Sequence, residues 1–131
     1  MITVDIEARP GRPQHPRITY LEGASSTNPE VVARVTGMIE KDDAVMVILD
    51  SDHSQGHVLD ELRAYGPLVT RGQYVIVEDT NVNGHPVLED FGPGPMEAIE
   101  AYLGGGAAFA VDPDKEKFFM TFNPRGFLRR V

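Results

Sequence analysis

The sequence predicts an α/β fold: a sheet of parallel strands with flanking helices, closed by an antiparallel strand pair near the C-terminus. Three observations predict it. Ala44–Asn81 reads as a complete βαβ unit, because the apolar run Val45-Met46-Val47-Ile48-Leu49 is followed by an amphipathic stretch and a second strand. Two further strand patterns, Ile2–Glu7 and Arg17–Leu21, precede a helix with clear start signals. Finally, Ala107–Val111 and Lys117–Phe122 are joined by Asp112-Pro113-Asp114-Lys115, a turn too short for a parallel crossover.

Taken in order, Ile2-Thr3-Val4-Asp5-Ile6-Glu7 alternates β-branched and acidic residues, the mark of a strand. Ala8–Pro16 holds three prolines and Gly11, which predicts a loop or irregular crossover. After Arg17–Leu21 comes Glu22-Gly23-Ala24-Ser25-Ser26, a small-residue turn. Thr27 or Asn28 can cap the following helix, with Pro29 in its first turn and Val31, Val32, Val35, Met38 and Ile39 as its buried stripe. The run Val45–Leu49 has the pattern of a strand covered on both faces. Gly56–Tyr65 places Val58, Leu59 and Leu62 at helical spacing and stops at Gly66-Pro67. Gln73–Val77 is the next strand. Val82–Pro95, rich in Gly and Pro, reads as a lid or a disordered segment, and its position directly after Glu78-Asp79 favours the lid. Pro95 opens a helix over Met96–Leu103 that ends at Gly104-Gly105-Gly106.

Composition narrows the function. A chain of 131 residues, 41% apolar and 24% charged, has the size and balance of one globular domain. Its net charge of −8 argues against nucleic acid and anionic membranes as partners. Only Arg125, Arg129 and Arg130 make the tail locally basic, and a solvated terminus is the simplest meaning. Without cysteine there is no disulfide, zinc–thiolate site or thiol nucleophile. No apolar run approaches the roughly 20 residues of a membrane span, and a cytoplasmic protein is expected.

The chemistry concentrates at strand ends. Ligands of open parallel sheets gather outside the carboxyl ends of the strands, where Asp50, Asp52, His53, Glu78 and Asp79 would share one edge. Several carboxylates there make a hard, oxygen-rich site suited to Mg²⁺ or Ca²⁺. Such an ion could hold two oxygens of a diol and lower the pKa of the reacting hydroxyl. His53 or Asp52 could then take the proton. Acidic residues in solvated loops are the alternative explanation. Asp5 and Glu7 end the first strand, where nucleotide-binding folds keep an acid for ribose hydroxyls; a solvated strand end explains them equally well. Gly23–Ser26 could let backbone approach a ligand or could simply form a tight turn. His57 lies one helical turn beyond His53, a spacing also ordinary for exposed residues. His85, in the expected lid, could reach a substrate or be solvated.

Several segments together resemble the cephalosporin hydroxylase family: Ile2–Glu7, Tyr20–Ser26 (YLEGASS), Val47–Ser54 (VILDSDHS) and Val75–Asn81 (VIVEDTN). Gly84-His85-Pro86, Phe91–Pro95 and Phe122-Asn123-Pro124-Arg125-Gly126 add to the likeness. That family is related to the rhamnosyl O-methyltransferases and is built on the Rossmann-like class I S-adenosylmethionine methyltransferase fold. The resemblance implies S-adenosylmethionine and Mg²⁺ as cofactors and a small hydroxylated molecule as substrate. It implies Asp5 as the acid on the cofactor ribose, with Gly23, Ala24 and Ser25 along the adenine. It implies a metal held by Glu78, Asp79 and either Asp50 or Asp52: comparison within the family favours Asp52, while the more distant catechol O-methyltransferases favour Asp50. Their base lies three residues after the metal aspartate, which corresponds to His53.

The resemblance covers the C-terminal part of the family only, as one partial methyltransferase-like domain over residues 1–131. Full-length members carry, ahead of the residues matching Ile2, a first strand and a glycine-rich turn around the methionine part of the cofactor. The expectation is a truncated sheet whose open edges are covered by rearrangement or by a second copy, giving a homodimer. Two functions follow. One is a metal-dependent O-methyltransferase-like domain, inactive as the isolated chain if the glycine turn is indispensable. The other is a non-catalytic dimeric remnant that binds a small ligand or a protein.

Overall fold

The computed structural model describes residues 1–117 and 120–131. Among the described residues it is a mixed α/β structure with two sheets and three α-helices, consistent with a Rossmann-like fold. The chain divides into two compact units, Met1–Lys41 and Asp42–Val131.

In the first unit β1 (Ile2–Asp5) and β2 (Thr19–Glu22) pair in parallel, with Ile2 opposite Thr19 and Asp5 opposite Glu22. Their crossover contains no helix, as its prolines require. It is held by Arg12, whose guanidinium meets Asp5 Oδ2 at 2.7 Å and Glu22 Oε1 at 3.1 Å and lies over the Tyr20 ring. Helix α1 (Pro29–Gly37) starts at Asn28, whose Oδ1 accepts the Glu30 N–H at 2.8 Å. Val31 and Val35 are buried, but Met38 is 42% exposed, because the helix ends before it and its side chain leaves the expected stripe.

The second unit is a four-stranded sheet in the order β3-β4-β6-β5, made of β3 (Val47–Leu49), β4 (Tyr74–Val77), β5 (Phe109–Val111) and β6 (Phe127–Arg130). β3 and β4 are parallel and are linked by α2 (Gln55–Tyr65), the βαβ unit expected. Val58 and Leu62 of α2, Ala98 and Ile99 of α3 (Pro95–Gly104), and Leu49, Val75, Val77 and Leu128 of the strands form the core. No helix among the described residues is long and apolar enough to cross a membrane.

Three expectations are corrected. The run Val45–Leu49 is not covered on both faces: Ile48 of β3 and Met46 just ahead of it are about half exposed, and β3 lies at the edge of its sheet. The antiparallel partner of Phe109–Val111 is Phe127–Arg130, not Lys117–Phe122. Residues 118 and 119 of that expected strand lie outside the described residues, while Met120 and Phe122 are exposed and unstranded. The basic tail is therefore an inner strand: Leu128 is fully buried between β4 and β5, and the Arg130 guanidinium packs over Phe109 and donates to the Gly66 carbonyl. Two apolar side chains in four residues gave that segment little strand signal, and its neighbours on both sides supply the rest.

Candidate functional site

The parallel ladder delivers the acids. The Glu78 N–H donates to the Leu49 carbonyl at 3.0 Å, continuing the β3–β4 register to the strand ends. The next residue on each side, Asp50 and Asp79, then faces a common point. Nε2 of His53 lies 3.5 Å from Asp50 Oδ1 and 3.5 Å from Asp79 Oδ2. That nitrogen is buried and has no hydrogen-bond partner among the described residues. Ligand atoms of the three side chains lie within 4.8 Å of one another, close enough to surround one cation.

The other expected residues divide. Glu78 sits beside this group: burial, then the carboxylates of Asp50 and Asp79, push its pKa up, and His53 opposes them. Asp52 is turned to a local task, with Oδ1 accepting the Ser54 N–H at 2.8 Å just ahead of α2. The Ser54 hydrogen bonds hold its carboxyl below the usual range. It does not join the cluster. Nearby positions in a turn point different ways, and the spacing of Asp50 and Asp52 does not tell them apart.

The surroundings fix His53. The Gln55 N–H donates to the Pro93 carbonyl at 3.0 Å, and a Cβ added at Gly94 would stand 3.3 Å from the His53 carbonyl. The segment Val82–Pro95 is thus folded back on the turn that carries His53. Its anchor is Glu97, which accepts from the Gly94 N–H at 2.7 Å and Asn83 Nδ2 at 2.8 Å, with His85 Nε2 at 2.9 Å. His85 is committed to that carboxylate. On the other side, Glu61, 2% exposed, accepts from the Ser51 hydroxyl at 2.8 Å, and His57 lies 3.5 Å from the same oxygen. Sequence reading missed Glu97 and Glu61. An acid three residues into a helix after Gly94 is a known start signal; nothing local marks Glu61.

In the first unit Asp5 ends β1. Its Oδ1 accepts the Glu7 N–H and its Oδ2 the Arg12 guanidinium; these bonds and the charges of Arg9 and Arg12 outweigh desolvation and lower its pKa. An open groove of about 450 Å³ runs beside it, walled by Thr3, Arg9, Arg12 and Tyr20. Gly23, Ala24 and Ser25 follow β2 and are not among its walls. Gly23 has φ of +87°, a conformation that calls for glycine, and its N–H donates to the Asp5 carbonyl. The Ser25 hydroxyl bonds that of Thr27 at 3.0 Å.

The donor sets fit the cofactors to different degrees. The carboxylates of Asp50 and Asp79, close to one another with Glu78 beside them, are oxygen donors of the kind a hard divalent cation takes, and the partnerless His53 nitrogen faces the same point. Asp5 already takes the Glu7 N–H and the Arg12 guanidinium, and a carboxylate offers about four acceptor positions.

With this geometry established, comparison with known proteins places the chain. The family model described as Rhamnosyl O-methyltransferase/CmcI matches residues 1–131. The chain belongs to this family. It is 42% identical over 136 residues to proteins named Rhamnosyl O-methyltransferase from Mycobacterium tuberculosis (strain ATCC 25618 / H37Rv) and Mycobacterium leprae (strain TN). The alignments cover 99% of this chain but 55% and 58% of those relatives, so the chain spans little more than half their length. No solved structure matches it.

Proposed function

We propose that this chain is the metal-binding part of a cytoplasmic S-adenosylmethionine-dependent O-methyltransferase that acts on a hydroxyl of a small hydroxylated molecule. The observation that carries the reading is the buried Nε2 of His53, without a hydrogen-bond partner among the described residues and 3.5 Å from a carboxylate on each side. The relatives' name specifies a rhamnosyl acceptor, which supports a sugar-like diol as the substrate class.

In this reading Asp50 and Asp79, with Glu78 beside them, hold Mg²⁺, a hard cation matched to carboxylate oxygen. The bound cation would lower the pKa of a coordinated hydroxyl. His53 is assigned as general base rather than ligand, because imidazole is the softer donor and its Nε2 already faces the space between the acids. When bound, S-adenosylmethionine would supply the methyl group, and His53 Nε2 would take the proton of the reacting hydroxyl. Asp5 would offer its remaining acceptor positions to the cofactor ribose, and Gly23, Ala24 and Ser25 would lie along the adenine.

One observation favours a second reading, a non-catalytic dimer. Ile48 of β3 is 53% exposed and Met46, just ahead of the strand, 50%, and the outer edge of β3 has no partner strand among the described residues. Such an edge invites pairing.

Calorimetry on the full chain tests both. Saturable Mg²⁺ binding that disappears in Asp79→Ala, with S-adenosylmethionine bound in the presence of the metal, supports the enzyme. A chain that binds neither, yet sediments as a homodimer, supports the second reading and sinks the first.

A further inference from the structure

The segment Phe122-Asn123-Pro124-Arg125-Gly126 has no role in the reading above, yet it lies against the strand end that carries Asp79. β4 ends at Val77, and the chain then leaves the sheet, with Asp79 in the left-handed region at φ of 51°. In place of a strand partner, the Asp79 N–H donates to Asn123 Oδ1 at 2.9 Å.

The two turns are joined around that bond. The Thr80 hydroxyl, fully buried, donates to the Pro124 carbonyl at 2.6 Å, and the Asn81 N–H to the Phe122 carbonyl at 3.1 Å. The Val77 N–H donates to the Gly126 carbonyl at 2.9 Å. A Cβ at Gly126 would fall 2.3 Å from the Val77 carbonyl oxygen, so only glycine lets the turn come this close. Asn123 is oriented in turn: its N–H donates to Thr121 Oγ1 at 3.0 Å, and its carbonyl accepts the Gly126 N–H at 2.9 Å.

We infer that Asn123 is a positioning residue for Asp79. By capping the Asp79 amide it sets the left-handed backbone from which that carboxylate reaches the point it shares with Asp50 and His53. The inference rests on the metal reading above. Residues behind a ligand matter because they fix where its oxygen stands, and their loss typically weakens metal binding by about 10–100-fold. Thr80 and Gly126 hold the same turns together; of these three residues, Asn123 is the one whose side chain bonds Asp79.

The test uses the full chain with Asn123→Leu, which removes the acceptor, and Asn123→Asp, which keeps one. Mn²⁺ affinity is read by electron paramagnetic resonance, and exchange of the Asp79 amide by NMR without metal. In Asn123→Leu, Mn²⁺ binding is expected to weaken at least about tenfold and the Asp79 amide to exchange faster, while the β4 amides keep their protection. Asn123→Asp is expected to keep the Asp79 amide protected. If the leucine variant does not fold, Asn123→Ala is read in the same way, and failure of both assigns Asn123 to structure alone and overturns the inference. Wild-type Mn²⁺ affinity in the leucine variant also overturns it while leaving the metal reading intact. A wild-type chain that binds no Mn²⁺ overturns both.

Discussion

Nε2 of His85 stands 2.9 Å from Oε1 of Glu97, and this contact fastens a glycine- and proline-rich loop to the start of a helix. The same carboxylate takes the Gly94 amide and the Asn83 side chain, so one acid gathers three points of the segment that backs His53. The loop expected to move as a lid is held at its base, with Val82 and Pro95 buried at its two ends. Its large exposed apolar side chains, Val87, Leu88 and Phe91, lie between those anchors.

Acid should release this anchor. Burial raises the Glu97 carboxyl, but the hydrogen bonds from Gly94, His85 and Asn83 outweigh it and hold the group down to about 2, against an ordinary value of 4.5. A carboxyl lowered by folding stabilises the native state above its unfolded pKa, and that contribution is lost as pH falls through the folded one. The Tm of the wild type is therefore expected to fall between pH 4.5 and 2 more steeply than that of Glu97→Gln. At neutral pH the variant is expected to be less stable by about 1–3 kcal/mol, the usual cost of hydrogen bonds to a charged group. Parallel Tm–pH curves would refute the assignment.

The two aspartates ahead of α2 should behave differently toward metal. A ligand bound only by the folded state raises its stability, by about 2.7 kcal/mol at a hundred times the dissociation constant. Asp50→Ala is expected to abolish the Mg²⁺-induced rise in Tm, whereas Asp52→Ala keeps it on a somewhat lower baseline, because Asp52 serves the Ser54 amide. Thermal shifts with and without Mg²⁺ decide the matter; loss of the response in Asp52→Ala alone would reverse the assignment.

The tail offers a sharper contrast. As a solvated basic terminus it would tolerate any substitution, but Leu128 is fully buried opposite Val75 and Val111. Leu128→Ala is expected to cost about 2–5 kcal/mol, read by urea denaturation, and Arg129→Ala, on an exposed position of the same strand, less than about 0.5 kcal/mol. A Leu128→Ala chain as stable as the wild type would place the residue outside the core.

Much of this is legible in the sequence itself. The βαβ unit was readable because its signals are local: an apolar run for β3, Val58 and Leu62 at helical spacing, and a proline where α2 ends. Asn28 and Pro29 marked the start of α1 in the same way. The acids at the ends of β3 and β4 followed, since parallel neighbours bring their carboxyl ends to one edge. Long-range partnership was not legible. Nothing in Phe109–Val111 states that it pairs with Phe127–Arg130, and nothing near Asp79 names Asn123, which lies 44 residues away. Nor could spacing say that Asp50 faces His53 while Asp52 turns to Ser54. Periodicity and caps are written in neighbouring residues, because they depend on backbone geometry a few positions long. Which strand fills a gap, and which way a turn side chain points, depends on contacts between distant segments that exist only once the chain has folded.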